Sequence, residues 1–125
     1  MISNYLKTAL INGTVRNTQY TVPTKVYLAI YTTNPTAADT GTECTLGGYA
    51  RQEITFKEAV DYITKNEEIT FPPVTSGTGT MAYFGIRDAL TAGNLLFYGA
   101  LGTPRALKTG TQLIIKENEL TCTFA

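Results

Sequence analysis

Between Gly79 and Leu101 the chain reads GTMAYFGIRDALTAGNLLFYGAL, two apolar runs of strand length separated by a polar, Gly-containing break. In the first run Ala82, Phe84 and Ile86 fall on one side and Met81, Tyr83, Gly85 and Arg87 on the other, the period-two alternation of a strand. In the second, Leu95, Phe97, Gly99 and Leu101 alternate with Leu96, Tyr98 and Ala100, so both faces are largely apolar. Such a strand must be covered on both sides. The link from Asp88 to Asn94 carries Gly93 and Asn94, residue types that accept positive φ and close tight turns. A buried β-hairpin therefore anchors the fold, and nothing in it is catalytic.

The remaining pattern is also strand-rich. KVYLAIYT, from Lys25 to Thr32, places Val26, Leu28 and Ile30 opposite Tyr27, Ala29 and Tyr31. Shorter strands are expected at Tyr49 to Phe56, Glu68 to Phe71 (ended by Pro72 and Pro73), Gln112 to Lys116 and Leu120 to Phe124. FKEAVDYITKNE mixes helix formers with Tyr62, Ile63 and Thr64, which favour strand, and reads as a loop leading into a strand. Thr33 to Gly48, Pro73 to Gly79 and Gly102 to Gly110 read as connections, the first long enough to carry function. At the N-terminus Ser3 sits where a cap would, Leu6, Ala9 and Leu10 recur at helical spacing, and Asn12-Gly13 supplies a left-handed stop. The expected architecture is all-β, a sandwich or jelly-roll-like domain of seven or eight strands. One domain spans 1–125, with a short helix over 1–13 and the β-sandwich over 25–125.

Composition narrows the function classes. Ten Lys and Arg balance ten Asp and Glu, which leaves no electrostatic footprint for phosphate backbones or anionic membranes, so neither nucleic acid nor membrane is an expected partner. Charged residues make up only 16% of the chain, against roughly 25% in ordinary soluble domains. A surface this poor in charge suggests cover by another subunit, and a homo-oligomer is expected. No apolar run approaches the roughly 18 residues of a membrane span and MISNYLKTAL is not a signal sequence, which predicts a protein made in the cytosol.

Candidate sites are few. Absence of histidine removes Ser/His/Asp and Cys/His nucleophile systems, and no GxSxG, Walker or GxGxxG pattern occurs. The acid pairs Asp39 with Glu43 and Glu67 with Glu68 read as solvated charges of a loop and a strand edge. Cys44 and Cys122 lack metal-site spacing; Cys122 reads as a buried thiol, and an intermolecular bond through Cys44 stays open. Asp39, Thr40, Gly41, Thr42 and Glu43 offer oxygens at alternating positions but not the EF-hand pattern. No catalytic, cofactor-binding or metal-binding residue is assigned, no cofactor is expected, and the chain is not expected to be an enzyme. Tyr27, Tyr31, Tyr83 and Tyr98 fit a sugar-stacking platform, an interface or a second core layer.

Four segments taken together resemble a family of short bacteriophage virion structural proteins, commonly labelled tail fibre proteins. They are Tyr31 to Pro35 (YTTNP), Gly47 to Gln52 (GGYARQ), Ile69 to Pro72 (ITFP), and Phe84 to Asp88 with Gly93 to Leu96 (FGIRD and GNLL). The chain departs from the family pattern in FKEAVDYITKN and in Gly77 to Met81. The resemblance implies a virion protein, assembled in the host bacterial cytoplasm, that acts by binding other virion proteins of the tail or capsid. A tail, fibre or baseplate location is expected; a capsid decoration role and a host-surface carbohydrate-binding module are the alternatives. The N-terminal helix and the 33–48 loop are the segments expected to reach a partner.

Overall fold

The computed structural model describes residues 1–61 and 63–122. Its elements are α1 (Asn4–Val15), β1 (Val26–Tyr31), β2 (Gln52–Ile54), β3 (Thr64–Lys65), β4 (Ile69–Thr70), β5 (Gly79–Arg87), β6 (Leu95–Leu107), β7 (Ile114–Ile115) and β8 (Thr121–Cys122). Four of them form an antiparallel sheet in the order β2-β1-β5-β6, and two short ribbons, β3-β8 and β4-β7, complete the β structure. The fold is all-β with one short helix.

Period-two alternation explains the layering. Leu28, Ile30, Ile54, Phe84, Ile86 and Leu101 project from one face of the large sheet into a core shared with Phe71, Val74, Leu113, Ile115, Leu120 and Cys122 from the ribbons and their flanks. The ribbon strands are short, and a side chain secures what their few ladder bonds do not. Asn66 is fully buried: its amide donates to the Lys116 carbonyl (3.0 Å) and accepts from the Leu120 N–H (2.8 Å). FKEAVDYITKNE does lead into a strand, β3; Tyr62 within it, and Thr123 and Phe124 of the expected final strand, lie outside the described residues.

Three boundaries differ from expectation. Asn12-Gly13 does not stop the helix, which continues to Val15; the left-handed residue is Asn17 (φ 57°), and the Thr18 N–H returns to the Asn12 carbonyl. One hydrogen bond at the Ser3 cap, from the Leu6 N–H at 3.2 Å, begins the helix as the sequence implies. Gly102 to Gly110 is not simply a connection, because β6 runs through Pro104 to Leu107. Proline is accommodated there by a bulge: between the pairs Met81–Arg105 and Tyr83–Ala100, one residue of β5 faces four of β6, Leu101 to Pro104. Finally, the polar 33–48 segment is not a free surface loop. Pro35 and Cys44 are buried, and the return limb bonds along the edge of β1 through Thr32 N–H to Thr42 O (2.9 Å) and Cys44 N–H to Ile30 O (2.8 Å).

A second bulge, at Leu96 between the pairs Ile86–Phe97 and Arg87–Leu95, lets adjacent Leu95 and Leu96 both be buried. Leu96 joins Ile2 and Leu6 in a small separate cluster beneath α1, so both faces of this hairpin strand are covered, as its apolar alternation requires.

Candidate interaction surface

The 33–48 segment is fastened to the hairpin by two arginines. Arg87, at the end of β5, is only 7% exposed, which would be costly for an unpaired charge. Its guanidinium meets Asp39 end-on, Nη1 to Oδ1 and Nη2 to Oδ2, both at 2.8 Å. The remaining donors reach Tyr31 Oη (2.8 Å), the Gly93 carbonyl (2.9 Å) and the Ala92 carbonyl (3.3 Å). All five N–H groups of the side chain are thereby satisfied. Burial opposes the charge, yet the contacts with Asp39 and Tyr31 hold the group above its ordinary pKa.

Arg51, just before β2 and two strands away, repeats the arrangement. Its Nε and Nη2 grip Glu43 side-on at 2.8 and 2.7 Å, while Nη1 donates to the carbonyls of Ala89 (2.9 Å) and Ala92 (2.8 Å). Tyr49 completes this half: its hydroxyl donates to Glu43 (2.5 Å) and accepts from the Ile30 N–H (3.2 Å), and its ring stacks on Phe71 with centroids 6.1 Å apart. Burial works to raise the Glu43 pKa, but Arg51 and Tyr49 overcome it and hold the carboxyl below its usual range. Burial, with the neighbouring Glu43 carboxylate, pushes the Tyr49 hydroxyl up, so it stays a neutral donor.

Both arginines converge on the Ala92 carbonyl because of the hairpin turn. Ala92 and Gly93 are both left-handed (φ 52° and 72°), which turns successive carbonyls inward. Asp88 holds this shape by accepting from the Asn94 N–H (2.7 Å) and side-chain amide (3.1 Å). A Cβ at Gly93 would stand 2.5 Å from Asp88 Oδ1, and one at Gly85 would meet the Tyr31 ring at 2.8 Å, so both sites need glycine. The network's purpose is mechanical: it fixes the long segment and the turn as one surface, on which Leu90 is half exposed and Thr91 exposed. An open groove of about 430 Å³ runs there, lined by Tyr49, Ala50, Arg51, Leu90, Thr91 and Ala92 among others.

The structure redistributes the residues singled out from sequence. Asp39 and Glu43 do not form a carboxylate pair, since each is held by its own arginine, and the oxygen-rich run 39–43 has its charges engaged the same way. Glu67 and Glu68 are exposed beside β4. No cluster of three or more His, Cys, Asp or Glu suited to a metal occurs among the described residues. Tyr31 and Tyr98 are buried and Tyr27 and Tyr83 half-buried, Tyr31 is engaged by Arg87 and the Tyr98 backbone by Met1, and none of the four belongs to either apolar cluster, so they do not form an open platform. Cys44 and Cys122 are both free and buried; burial pushes their thiols up, that of Cys122 to about 12. Arg51 and Arg87 were missed as determinants, although both stand inside the quoted motifs.

Exposed apolar side chains gather elsewhere, on α1. Leu6 is its buried residue, and on the opposite side Asn4, Thr8, Ile11 and Val15 follow one another at spacings of four, three and four. Ile11 is 59% and Val15 73% exposed, and Lys7 is the only charged residue of the helix. None of the helices is long and apolar enough to cross a membrane among the described residues.

The chain is a member of the family described as podophage GP4 fiber I protein gp80, whose model matches residues 1–123. No curated protein matches it. Membership makes it a virion protein associated with the fibre and with other virion components.

Proposed function

We propose that this chain is a multi-copy subunit of the phage fibre or its attachment, acting by binding and not by catalysis. The outward stripe of α1 carries the reading. Its four-three-four spacing is that of a coiled-coil seam, its two apolar members are β-branched, and the one charge of the helix, Lys7, flanks the seam without standing in it. The subunit is made in the host bacterial cytoplasm and built into the particle there. Its neutral charge balance leaves specificity to shape and apolar contact.

Light scattering on the chain tests this: an assembly larger than one chain is expected, and Ile11→Asp with Val15→Asp should lower its mass or raise the concentration it needs without altering the circular dichroism of the β domain. A wild-type chain that stays monomeric at every concentration and alongside isolated tails overturns the proposal. Gold-labelled antibodies on intact particles are expected over the tail; label over the shell would assign it to capsid decoration instead.

A further inference from the structure

The N-terminal arm, residues 1–16, is attached to the rest of the molecule in a way that does not depend on belonging to the same chain. Residues 1–3 lie as an extra strand on the outer edge of β6, through the Met1 nitrogen to the Tyr98 carbonyl (2.8 Å), Tyr98 N–H to Met1 O (3.0 Å) and Ser3 N–H to Leu96 O (2.9 Å). Ser3 Oγ donates to the Leu95 carbonyl while capping α1, and the Asn4 N–H reaches Ala37 O at 2.8 Å. Apolar attachment comes from Ile2 and Leu6 against Leu96, with Leu10, Tyr20, Val26 and Phe97 at the margin, a cluster whose buried members are distinct from the main core and which meets it through Val26 and Phe97. This is strand addition with apolar anchors, the mode by which sheets receive a segment from another chain.

The connection favours transfer. Tyr20 packs with the arm, its Cβ next to Gly13, so the hinge is Thr21 to Lys25, TVPTK. No residue of it belongs to a helix or strand, and Pro23 is the only one of the five not exposed. Pro23 confines Val22 to extended conformations, which resists folding the hinge back on itself. Five extended residues reach roughly 17 Å, enough to carry the arm to a neighbouring copy. Within its own chain the arm leaves Ile11 and Val15 uncovered.

We infer that the arm is an exchanged element: in the assembled protein, residues 1–16 of one copy dock on the β6 edge of the next copy of this chain. This rests on the multi-copy reading above. Closed exchange gives a dimer, and head-to-tail exchange gives a ring or a filament.

Ile2 and Phe97 stand directly opposite across the added strand, flanked by the hydrogen-bonded pair Met1 and Tyr98. A full-length chain carrying Ile2→Cys and Phe97→Cys, oxidised at native pH, should lock the arm wherever it sits; Cys44 and Cys122 are buried and stay out of the reaction. The expected result on a non-reducing gel is covalent species of two or more chains. Inserting four Gly-Ser residues after Thr21 should shift these toward cross-linked single chains, because a slack hinge lets the arm fold home. Cross-links confined to single chains in a sample that light scattering shows to be oligomeric overturn exchange and leave the multi-copy reading standing. Failure to cross-link at all also overturns it. A sample monomeric by scattering, with single-chain cross-links, removes both.

Discussion

The hairpin is held at its turn by ion pairs and along its outer edge by the N-terminal arm, and these two attachments differ in kind. Around Arg87 and Arg51, buried charges meet two carboxylates, one tyrosine hydroxyl and three carbonyls of the turn, from side chains far apart in sequence. All five N–H groups of Arg87 and four of those of Arg51 are committed, so removing a member leaves a partner unpaired in a low-dielectric site. At the arm, a few backbone bonds and three buried apolar side chains carry the contact. Backbone groups and a leucine cluster are met as well by another copy's arm as by the chain's own. The comparison separates a scaffold that must stay fixed from an element free to choose its partner.

Breaking the scaffold should have the largest effect. Arg87→Met leaves Asp39 and the Gly93 carbonyl without their donor, takes one of two from the Ala92 carbonyl, and is expected to destabilise by about 3 kcal/mol, measured by urea unfolding. Arg51→Leu, which removes four hydrogen bonds where Arg87 makes five, should cost about 2 kcal/mol. By contrast Leu6→Ala, which removes roughly the same free energy from the arm, should register as faster amide exchange in α1 while the Phe84 and Ile86 amides keep their protection. Equal acceleration in both places would erase the distinction between the two regions.

Acid sharpens the same contrast. The folded pKa of Glu43 lies below its unfolded value, so its contribution is complete above the ordinary carboxylate range and is lost as pH falls through the folded value. Wild-type stability should drop over that acidic interval, and Glu43→Gln should flatten its share of the drop. At the small end, Ile11→Asp should change unfolding free energy by no more than about 0.5 kcal/mol, since the position is exposed. A larger loss measured at monomeric concentration would mean that the stripe supports the subunit itself.

How far each region was legible depended on whether its signal was local. The hairpin, β1, the covered second hairpin strand and the N-terminal cap were readable because alternation and Ser3 act within a few residues. Helix length was misjudged because Asn12-Gly13 looks like a stop, while the real stop comes at Asn17. Gly102 to Gly110 reads as a connection because of Pro104, since a proline within a strand there needs a bulge that only the β5 partner reveals. The polar 33–48 segment has the composition of a solvated loop; its burial follows from two arginines that are distant in sequence. Asn66 was hidden for the same reason, its partners lying about fifty residues further on.

By itself the sequence determined the class of fold, the buried hairpin and a set of family segments at Tyr31, Gly47, Phe71 and Phe84. The fold class and the hairpin rest on side-chain periodicity and on φ preferences, which belong to single residues and their neighbours, while the segments rest on resemblance. Only tertiary structure decided what the segments are for. Tyr31, Tyr49 with Arg51, Phe71, and Arg87 with Gly93 meet in one network that sets the long segment against the turn. Buried charge is tolerable only where its partners converge in space, and that convergence is a property of the folded chain.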